Sequence, residues 1–228
     1  MTQLDDIADR LGAVRERISA ATRRSGRAPE SVKLVLASKT QSPDAIRAAY
    51  AAGVRDFGEN YVQEAQTKRD DTADLPDVRW HMIGHLQRNK APIARNIFNL
   101  IHSLDNAALA TALARAQPGL PACVLIEVNI AGEPSKNGVA PAEVERLIET
   151  ARALVDIRGL MTIPPAGGED VVRPYFASLR ELRDRLARAS GLALAELSMG
   201  MTEDFEKAID EGATIVRVGR AVFGDRSR

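Results

Sequence analysis

Lys39 is the residue in this sequence best suited to covalent chemistry, because of the segment in which it lies. That segment, 33–40 (KLVLASKT), has apolar residues at both strand parities, which is typical of a strand buried on both faces of a parallel sheet. Ser42 is a favourable N-cap and Pro43 suits the first helical position, so we predict that a helix follows at once. Burying an ammonium is costly, and desolvation favours the neutral, nucleophilic amine. We therefore predict that Lys39 forms a Schiff base with an aldehyde.

Two glycines near the C-terminus predict an anion site. Gly200 follows the predicted strand 194–198, and Gly219 follows the predicted strand 214–218. Glycine lets backbone N–H groups approach a phosphate, and the helix expected after its N-cap, Thr202, adds a positive helix end. A phosphorylated aldehyde would occupy the lysine and the phosphate site together, and pyridoxal phosphate (PLP) is the common compound of this kind.

Arg217 adds to this interpretation. It shares strand parity with Ile215 and Gly219, so we predict that it points into the protein interior. A buried guanidinium needs an acceptor, and the ring nitrogen of PLP is a suitable one. An arginine there keeps the nitrogen unprotonated and makes the ring a weaker electron sink, which favours holding the cofactor over carbanion chemistry.

Each of these residues has a structural interpretation as well. Lys39 could be a lysine whose ammonium reaches solvent, and the two glycines could be ordinary turn residues. Lys136 is the rival Schiff-base candidate, but it lies in a polar loop and we expect it to be solvated. His81 has the pattern of a hydrogen-bonded core histidine, and Asn60 could cap a helix instead of contacting a ligand.

The elements that must position these residues alternate regularly between strand and helix. Eight strand-then-helix units follow an amphipathic N-terminal helix at 3–24, with no linker-like break. Eight is the number of strands that closes a parallel barrel, whose functional residues lie at the carboxyl ends of the strands. We therefore predict one domain, 1–228, with an α/β fold: a single (β/α)8 TIM-type barrel with an extra N-terminal helix. A doubly wound sheet is the alternative, but no GxGxxG motif follows the first strand. The predicted strands are 33–38, 55–59, 78–83, 99–103, 122–129, 156–162, 194–198 and 214–218.

Composition argues against several functional classes. The 228 residues include 31 basic and 31 acidic side chains, without a basic stripe, so we expect neither nucleic acid nor a membrane surface as partner. The N-terminus is unlike a signal peptide, no apolar run is long enough to span a membrane, and the single cysteine cannot form an internal disulfide. These features predict a cytoplasmic protein. We also expect a monomer, because no obvious interface stripe remains after the barrel helices are assigned.

Six motifs spread over nearly the whole chain resemble the pyridoxal phosphate homeostasis protein family. They are SKT at 38–40, FGENYVQEAQTK at 57–68, WHMIGHLQRNK at 80–90, SKNG at 135–138, RGLMTIP at 158–164 and LSMGMTEDFEKAIDEGATIVRVGRAVFG at 197–224. The resemblance implies a barrel similar to the N-terminal domain of bacterial alanine racemase. It implies that Lys39 carries PLP, that Arg217 faces the ring nitrogen, and that Asn60 and His81 line the pocket. It assigns the phosphate to Ser198, Gly200, Gly219 and Arg220, the last of which is threonine in many members.

The resemblance also implies a function. Members of this family are thought to bind, buffer and deliver PLP without an established reaction, which makes PLP-dependent apoenzymes candidate partners. Alanine racemase needs a tyrosine base from a second domain, and here Tyr50, Tyr61 and Tyr175 all fall in or beside predicted helices. Two alternatives stay open: a racemase-like PLP enzyme of weak or narrow activity, and a cofactor-free lyase that acts on a phosphorylated sugar through Lys39.

Overall fold

The computed structural model describes residues 3–224, which form a closed barrel of eight parallel strands paired in chain order. Each strand is followed by a helix on the outside of the barrel, as predicted. The strands are β1 Lys33–Ala37, β2 Asp56–Glu59, β3 Arg79–Met82, β4 Leu100–Leu104, β5 Cys123–Glu127, β6 Asp156–Met161, β7 Glu196–Ser198 and β8 Ile215–Val218. The helices are α1 Gln3–Arg24, α2 Pro43–Ala51, α3 Val62–Asp71, α4 Ala91–Ile97, α5 Ala107–Ala116, α6 Val144–Ala151, α7 Glu169–Ser190, α8 Phe205–Asp210 and α9 Arg220–Phe223.

The connection from β1 to α2 follows the predicted local signals. Ser42 adopts extended backbone angles, and its Oγ accepts a hydrogen bond from the N–H of Ala45 at 3.2 Å. Pro43 occupies the first helical position, where a missing N–H has no cost. The helix therefore starts six residues after β1 ends, and the short connection between them carries Lys39.

The extra helix α1 packs on the outside of the barrel against α2, α8 and α9. Its buried residues Ile7, Leu11, Val14 and Ile18 recur at three- and four-residue spacing, so one stripe of the helix faces the protein. Because α2 follows β1 and α9 follows β8, α1 covers the region where the first and last strands pair.

Apolar side chains fill two layers. The larger lies between the strands and the surrounding helices, and the smaller lies inside the barrel. The inner group is Val35, Ile83, Leu100, Leu125, Met161 and Ile215. The same interior also contains buried polar residues.

Helix α8 begins later than the sequence predicts. Thr202 does not cap it; the Oδ1 of Asp204 instead accepts from the N–H of Met201 at 2.6 Å, which folds residues 201–204 into a tight turn before the helix starts. Among residues 3–224, no helix combines the length and apolar character required to cross a lipid bilayer.

Candidate functional site

A cavity of about 920 Å³ opens at the carboxyl ends of the strands. Its walls come from the segments that follow β1, β2, β3, β5, β6, β7 and β8, and Arg217 in β8 also lines it. This is the face where barrel proteins bind their ligands, and the volume is at the upper end of the usual range for small-molecule sites, about 300–1,000 Å³.

Lys39 lies two residues after β1 and lines the cavity, as predicted. Its side chain is half-buried, so the ammonium is partly accessible to solvent. Within residues 3–224, no hydrogen-bond acceptor or carboxylate engages its Nζ. Lys39 therefore offers an amine that is not held by another group.

A buried ion cluster fixes the backbone on both sides of this lysine. The Lys68 ammonium donates to the carbonyl of Ser38 at 2.5 Å and to the Oε1 atoms of Glu59 and Glu64, both at 2.7 Å. The Glu64 carboxylate also accepts from the N–H of Thr40 at 2.5 Å. Thr40 has a φ of 66°, a left-handed conformation that is unfavourable for a β-branched residue. These contacts hold a strained turn in place beneath the cavity.

Lys136 lines the same cavity, which corrects the expectation that it is solvated. Its side chain is half-buried, because its Nζ donates to the carbonyl of Pro164 at 2.9 Å and pairs with Glu133 at 2.9 Å. The two candidate lysines thus share one cavity and differ in their partners.

Arg217 points into the barrel, as its parity predicts, and is 4% exposed. Its guanidinium donates to the Oγ of Ser198 at 2.6 Å and to the carbonyl of Thr162 at 2.9 Å. Burial lowers the pKa of Arg217 to about 10, with the nearby Glu127 and Asp204 carboxylates acting in the opposite direction. The side chain is therefore still charged at neutral pH.

The structure places the Ser198 hydroxyl inside the barrel, and the phosphate contact expected of this residue stays a prediction. This residue is fully buried, and its hydroxyl lies between Arg217 and the Nδ1 of His102, at 2.9 Å from the latter. It faces the barrel interior and not the predicted phosphate corner. The sequence interpretation assigned no role to His102, although it shares the inward parity of Leu100 in β4.

The structure places His81 in the barrel interior, where it is 2% exposed, and its expected contact with the cofactor stays a prediction. It is the hydrogen-bonded core histidine of the alternative interpretation: its Nδ1 lies 3.0 Å from His102 Nε2, and its Nε2 lies 2.9 Å from Asp56 Oδ1. Burial lowers the pKa of both histidines, which are therefore neutral. Burial raises the pKa of Asp56, but hydrogen bonds from Arg79 and His81 outweigh this and hold it well below its usual value.

The glycine-containing ends of β7 and β8 are joined by a hydrogen bond from the N–H of Arg217 to the carbonyl of Gly200 at 3.0 Å. Gly200 has a φ of 92° and lies under α8, where a Cβ would be 2.6 Å from that of Ala208; this packing alone explains the glycine. Gly219 and Arg220 line the cavity. Within residues 3–224, the N–H groups of Arg220 and Ala221, in the first turn of α9, donate to no backbone carbonyl.

Three further residues lie at the cavity or in the mouth of the barrel. Asn60 lines the cavity, and because Tyr61 is the N-cap residue of α3, Asn60 is not a cap. The Arg220 guanidinium pairs with Glu203 at 2.9 Å on the protein surface. Glu127 is buried inside the barrel mouth, where burial and the charge of Asp105 raise its pKa to about 7.

Comparisons with known proteins agree with this geometry. Residues 10–227 match the family described as alanine racemase, N-terminal domain. The chain is 48% identical over 224 residues to a pyridoxal phosphate homeostasis protein of Aquifex aeolicus, covering 96% of this chain and 97% of that protein. It is 39% identical over 234 residues to the Escherichia coli K12 protein of the same name, covering 98% of each.

Solved structures of related proteins have the same barrel fold. The structure of PipY from Synechococcus elongatus with PLP bound has a TM-score of 0.84 and 40% identity, covering 96% of this chain and all of that chain (100%). Alanine racemase from Corynebacterium glutamicum shares the fold, with a TM-score of 0.69 and 21% identity over 99% of this chain and 62% of that chain. With identities of this size over almost its whole length, the chain belongs to the family of pyridoxal phosphate homeostasis proteins.

Proposed function

We propose that this protein binds PLP as a Schiff base on Lys39 and holds it for supply to PLP-dependent apoenzymes, without catalysing a reaction of its own. The proposal rests on one observation: the cavity is lined both by Lys39, whose amine has no partner among the described residues, and by Arg217, which is buried and charged. The PLP-bound PipY structure and the names of the relatives support the choice of aldehyde. We place this role in the cytoplasm and assign it to a monomer.

The two lysines of the cavity differ in their readiness to react. An amine must be free to approach an aldehyde before it can attack it, and acceptors that hold the nitrogen elsewhere oppose that approach. Lys136 has such acceptors in Glu133 and the carbonyl of Pro164, whereas Lys39 has none within the described residues. The nucleophile is therefore Lys39.

The β8 end of the cavity suits the phosphate. Within the described part of the chain, the N–H groups of Arg220 and Ala221 at the start of α9 donate to no backbone carbonyl, and Gly219 lets the ligand approach the backbone because it has no side chain. A Cβ at this glycine would be 2.9 Å from the carbonyl oxygen of Ala37. Because the contact is made by the backbone, the arginine at position 220 does not prevent it. The Arg220 side chain lies at the rim of the cavity, where it pairs with Glu203.

Arg217 supports a holding role over a catalytic one. PLP supplies an electron sink when its ring nitrogen is protonated, and a charged guanidinium facing that nitrogen opposes protonation. No tyrosine lines the cavity in the described part of the chain: the Tyr50 hydroxyl donates to the carbonyl of Pro76 at 2.9 Å, and Tyr61 is 65% exposed. The site thus lacks the tyrosine base expected of a racemase.

Borohydride reduction tests the anchoring residue. Purified wild type, Lys39→Met and the matched control Lys136→Met are incubated with PLP, reduced and mapped by peptide mass. We expect a pyridoxyl adduct on the peptide containing Lys39 in wild type and in the control, and none at that position in Lys39→Met. An adduct confined to Lys136, or no adduct in wild type, would contradict the proposal and favour the phosphosugar lyase.

Exchange of the amino-acid α-hydrogen tests the absence of catalysis. The PLP-loaded protein is incubated with amino acids in D2O, and deuterium uptake is followed by mass spectrometry. We expect a rate no higher than that of free PLP at the same concentration. Faster exchange that disappears in Lys39→Met would identify a racemase-like enzyme instead.

A further inference from the structure

A chain of hydrogen bonds runs through the barrel from the cavity to the opposite opening. It passes from Arg217 through Ser198, His102 and His81 to Asp56, with donor–acceptor distances of 2.6, 2.9, 3.0 and 2.9 Å. All five residues are at most 6% exposed. We call this set the axial relay.

The relay has an anchor at the opening of the barrel opposite the cavity. Asp56 starts β2 and accepts two hydrogen bonds from Arg79, at 2.9 and 2.6 Å. The Arg79 side chain is half exposed at the start of β3, so the bidentate pair joins the buried relay to the surface. The carboxylate is thereby kept ionised and can only accept hydrogen bonds.

The Asp56 carboxylate fixes the direction of the hydrogen bonds in the relay. It can only accept, so the neutral His81 carries its proton on Nε2 and donates it to Asp56. His81 Nδ1 is then an acceptor, so the neutral His102 carries its proton on Nε2 and donates it to His81. His102 Nδ1 in turn accepts the Ser198 hydroxyl proton, while the Ser198 oxygen accepts from Arg217, which can only donate. The arginine is therefore compatible with the direction that the carboxylate sets.

We propose that His102 and His81 are positioning residues for the cofactor site, which hold Arg217 by fixing Ser198 as an acceptor. The guanidinium of Arg217 donates one N–H to Ser198 and one to the carbonyl of Thr162, and these two hydrogen bonds hold it in one orientation. Its other N–H groups are left for a ligand in the cavity. The inference rests on the proposed function, because it explains how Arg217 is presented to PLP. Neither histidine touches the cofactor in this scheme.

The substitution Asp56→Asn is expected to reverse the relay. The single carboxamide oxygen is drawn to Arg79, which leaves the amide NH2 facing His81 Nε2. The His81 proton then moves to Nδ1 and is donated to His102 Nε2, so the His102 proton moves to Nδ1 and is donated to Ser198. Ser198 receives two donors, and its own hydroxyl proton has no partner in the relay.

Nitrogen-15 NMR of the three histidines in the ligand-free protein measures this directly. We expect His81 and His102 to be protonated on Nε2 in wild type and on Nδ1 in Asp56→Asn. The matched control Asp156→Asn removes an aspartate that starts another strand and pairs with Arg158, and it should leave both histidines unchanged. A charged histidine, or a wild-type proton on His102 Nδ1, would overturn the assignment even if a variant failed to fold.

Cofactor binding tests the positioning role. His102→Phe removes both hydrogen bonds of this ring, and we expect PLP to bind about tenfold more weakly, a typical effect of disturbing one hydrogen bond to a charged group. His102→Gln can accept from Ser198 and donate to His81, so it should restore most of the affinity. Failure of wild type to bind PLP would refute the proposed function, whereas tight binding by wild type and His102→Phe alike would refute only this inference.

Discussion

Replacing Lys68 by methionine should destabilise the protein strongly and in a pH-dependent way. Lys68 is 5% exposed, and its ammonium has three acceptors: Glu59, Glu64 and the carbonyl of Ser38. Methionine fills a similar volume but leaves the fully buried Glu59 carboxylate with the Ser38 hydroxyl as its one remaining donor among residues 3–224. Removing one partner of a buried ion pair costs about 3–5 kcal/mol, because the other charge is left uncompensated. We expect a loss of this size at pH 8.

The pH dependence follows from Glu59. Burial already raises its pKa in the wild type, and the hydrogen bond and charge of Lys68 oppose that rise. Without Lys68 the folded-state pKa rises further above the unfolded value. The folded variant therefore binds a proton more tightly, and its stability falls as pH rises through that pKa. The gap in free energy of unfolding between wild type and Lys68→Met should narrow from pH 8 to pH 5.

Urea denaturation followed by far-UV circular dichroism measures these quantities. The double variant Lys68→Met/Glu59→Gln should recover at least half of the loss at pH 8, because it removes the uncompensated charge. Lys33→Met, at an exposed lysine that begins β1, is the matched control and should change stability by less than about 0.5 kcal/mol. A loss below about 1 kcal/mol in Lys68→Met, or one that is independent of pH, would refute the assignment of this cluster as a buried ion cluster.

Three further predictions concern single residues. Burial raises the pKa of Glu127 from 4.5 to about 7, so the protonated side chain stabilises the fold fully below the unfolded pKa, and this stabilisation is lost as pH rises through 7. From pH 5 to pH 8 the wild type should therefore lose about 2–3 kcal/mol of unfolding free energy through this residue. Glu127→Gln should not show this loss when both proteins are compared by urea denaturation. Gly200→Ala should lower the melting temperature by several degrees, because φ is 92° and the new Cβ would clash with Ala208; an unchanged thermal transition would contradict this. Arg217→Gln should alter the absorption spectrum of bound PLP, and an unchanged spectrum would argue against a contact with the ring nitrogen.

The fold was largely predictable because its signals are local. A few neighbouring residues are enough to identify the apolar segment of β1 and the N-cap at Ser42. Each of the eight strand-and-helix units has local signals of the same kind. The position of Lys39 was predictable for the same reason, because it depends on where β1 ends. The start of α8 was misplaced because Asp204, and not Thr202, accepts the hydrogen bond that shapes the preceding turn.

The interior of the site was not predictable in the same way. The contact between His102 and Ser198 joins residues 96 positions apart and exists only because the barrel closes with a particular stagger of its strands. Inward parity of His81 and His102 was the available signal, but parity does not reveal which inward side chains meet. Ser198 was assigned to the phosphate by resemblance, and only the position of Arg217 shows that its hydroxyl is already engaged.

Three lysines near the carboxyl ends of the strands show how partners decide the role of a residue type. Lys68 has three acceptors and is buried, Lys136 has a carboxylate and a carbonyl and is half-buried, and Lys39 has no partner among the described residues. Each acceptor ties the lysine nitrogen to a neighbouring group and leaves it less free to approach an aldehyde. Reductive labelling at limiting PLP should therefore follow the order Lys39, Lys136, Lys68. Glu133→Gln should raise labelling of Lys136 relative to Lys39, since it removes the carboxylate that holds the second ammonium.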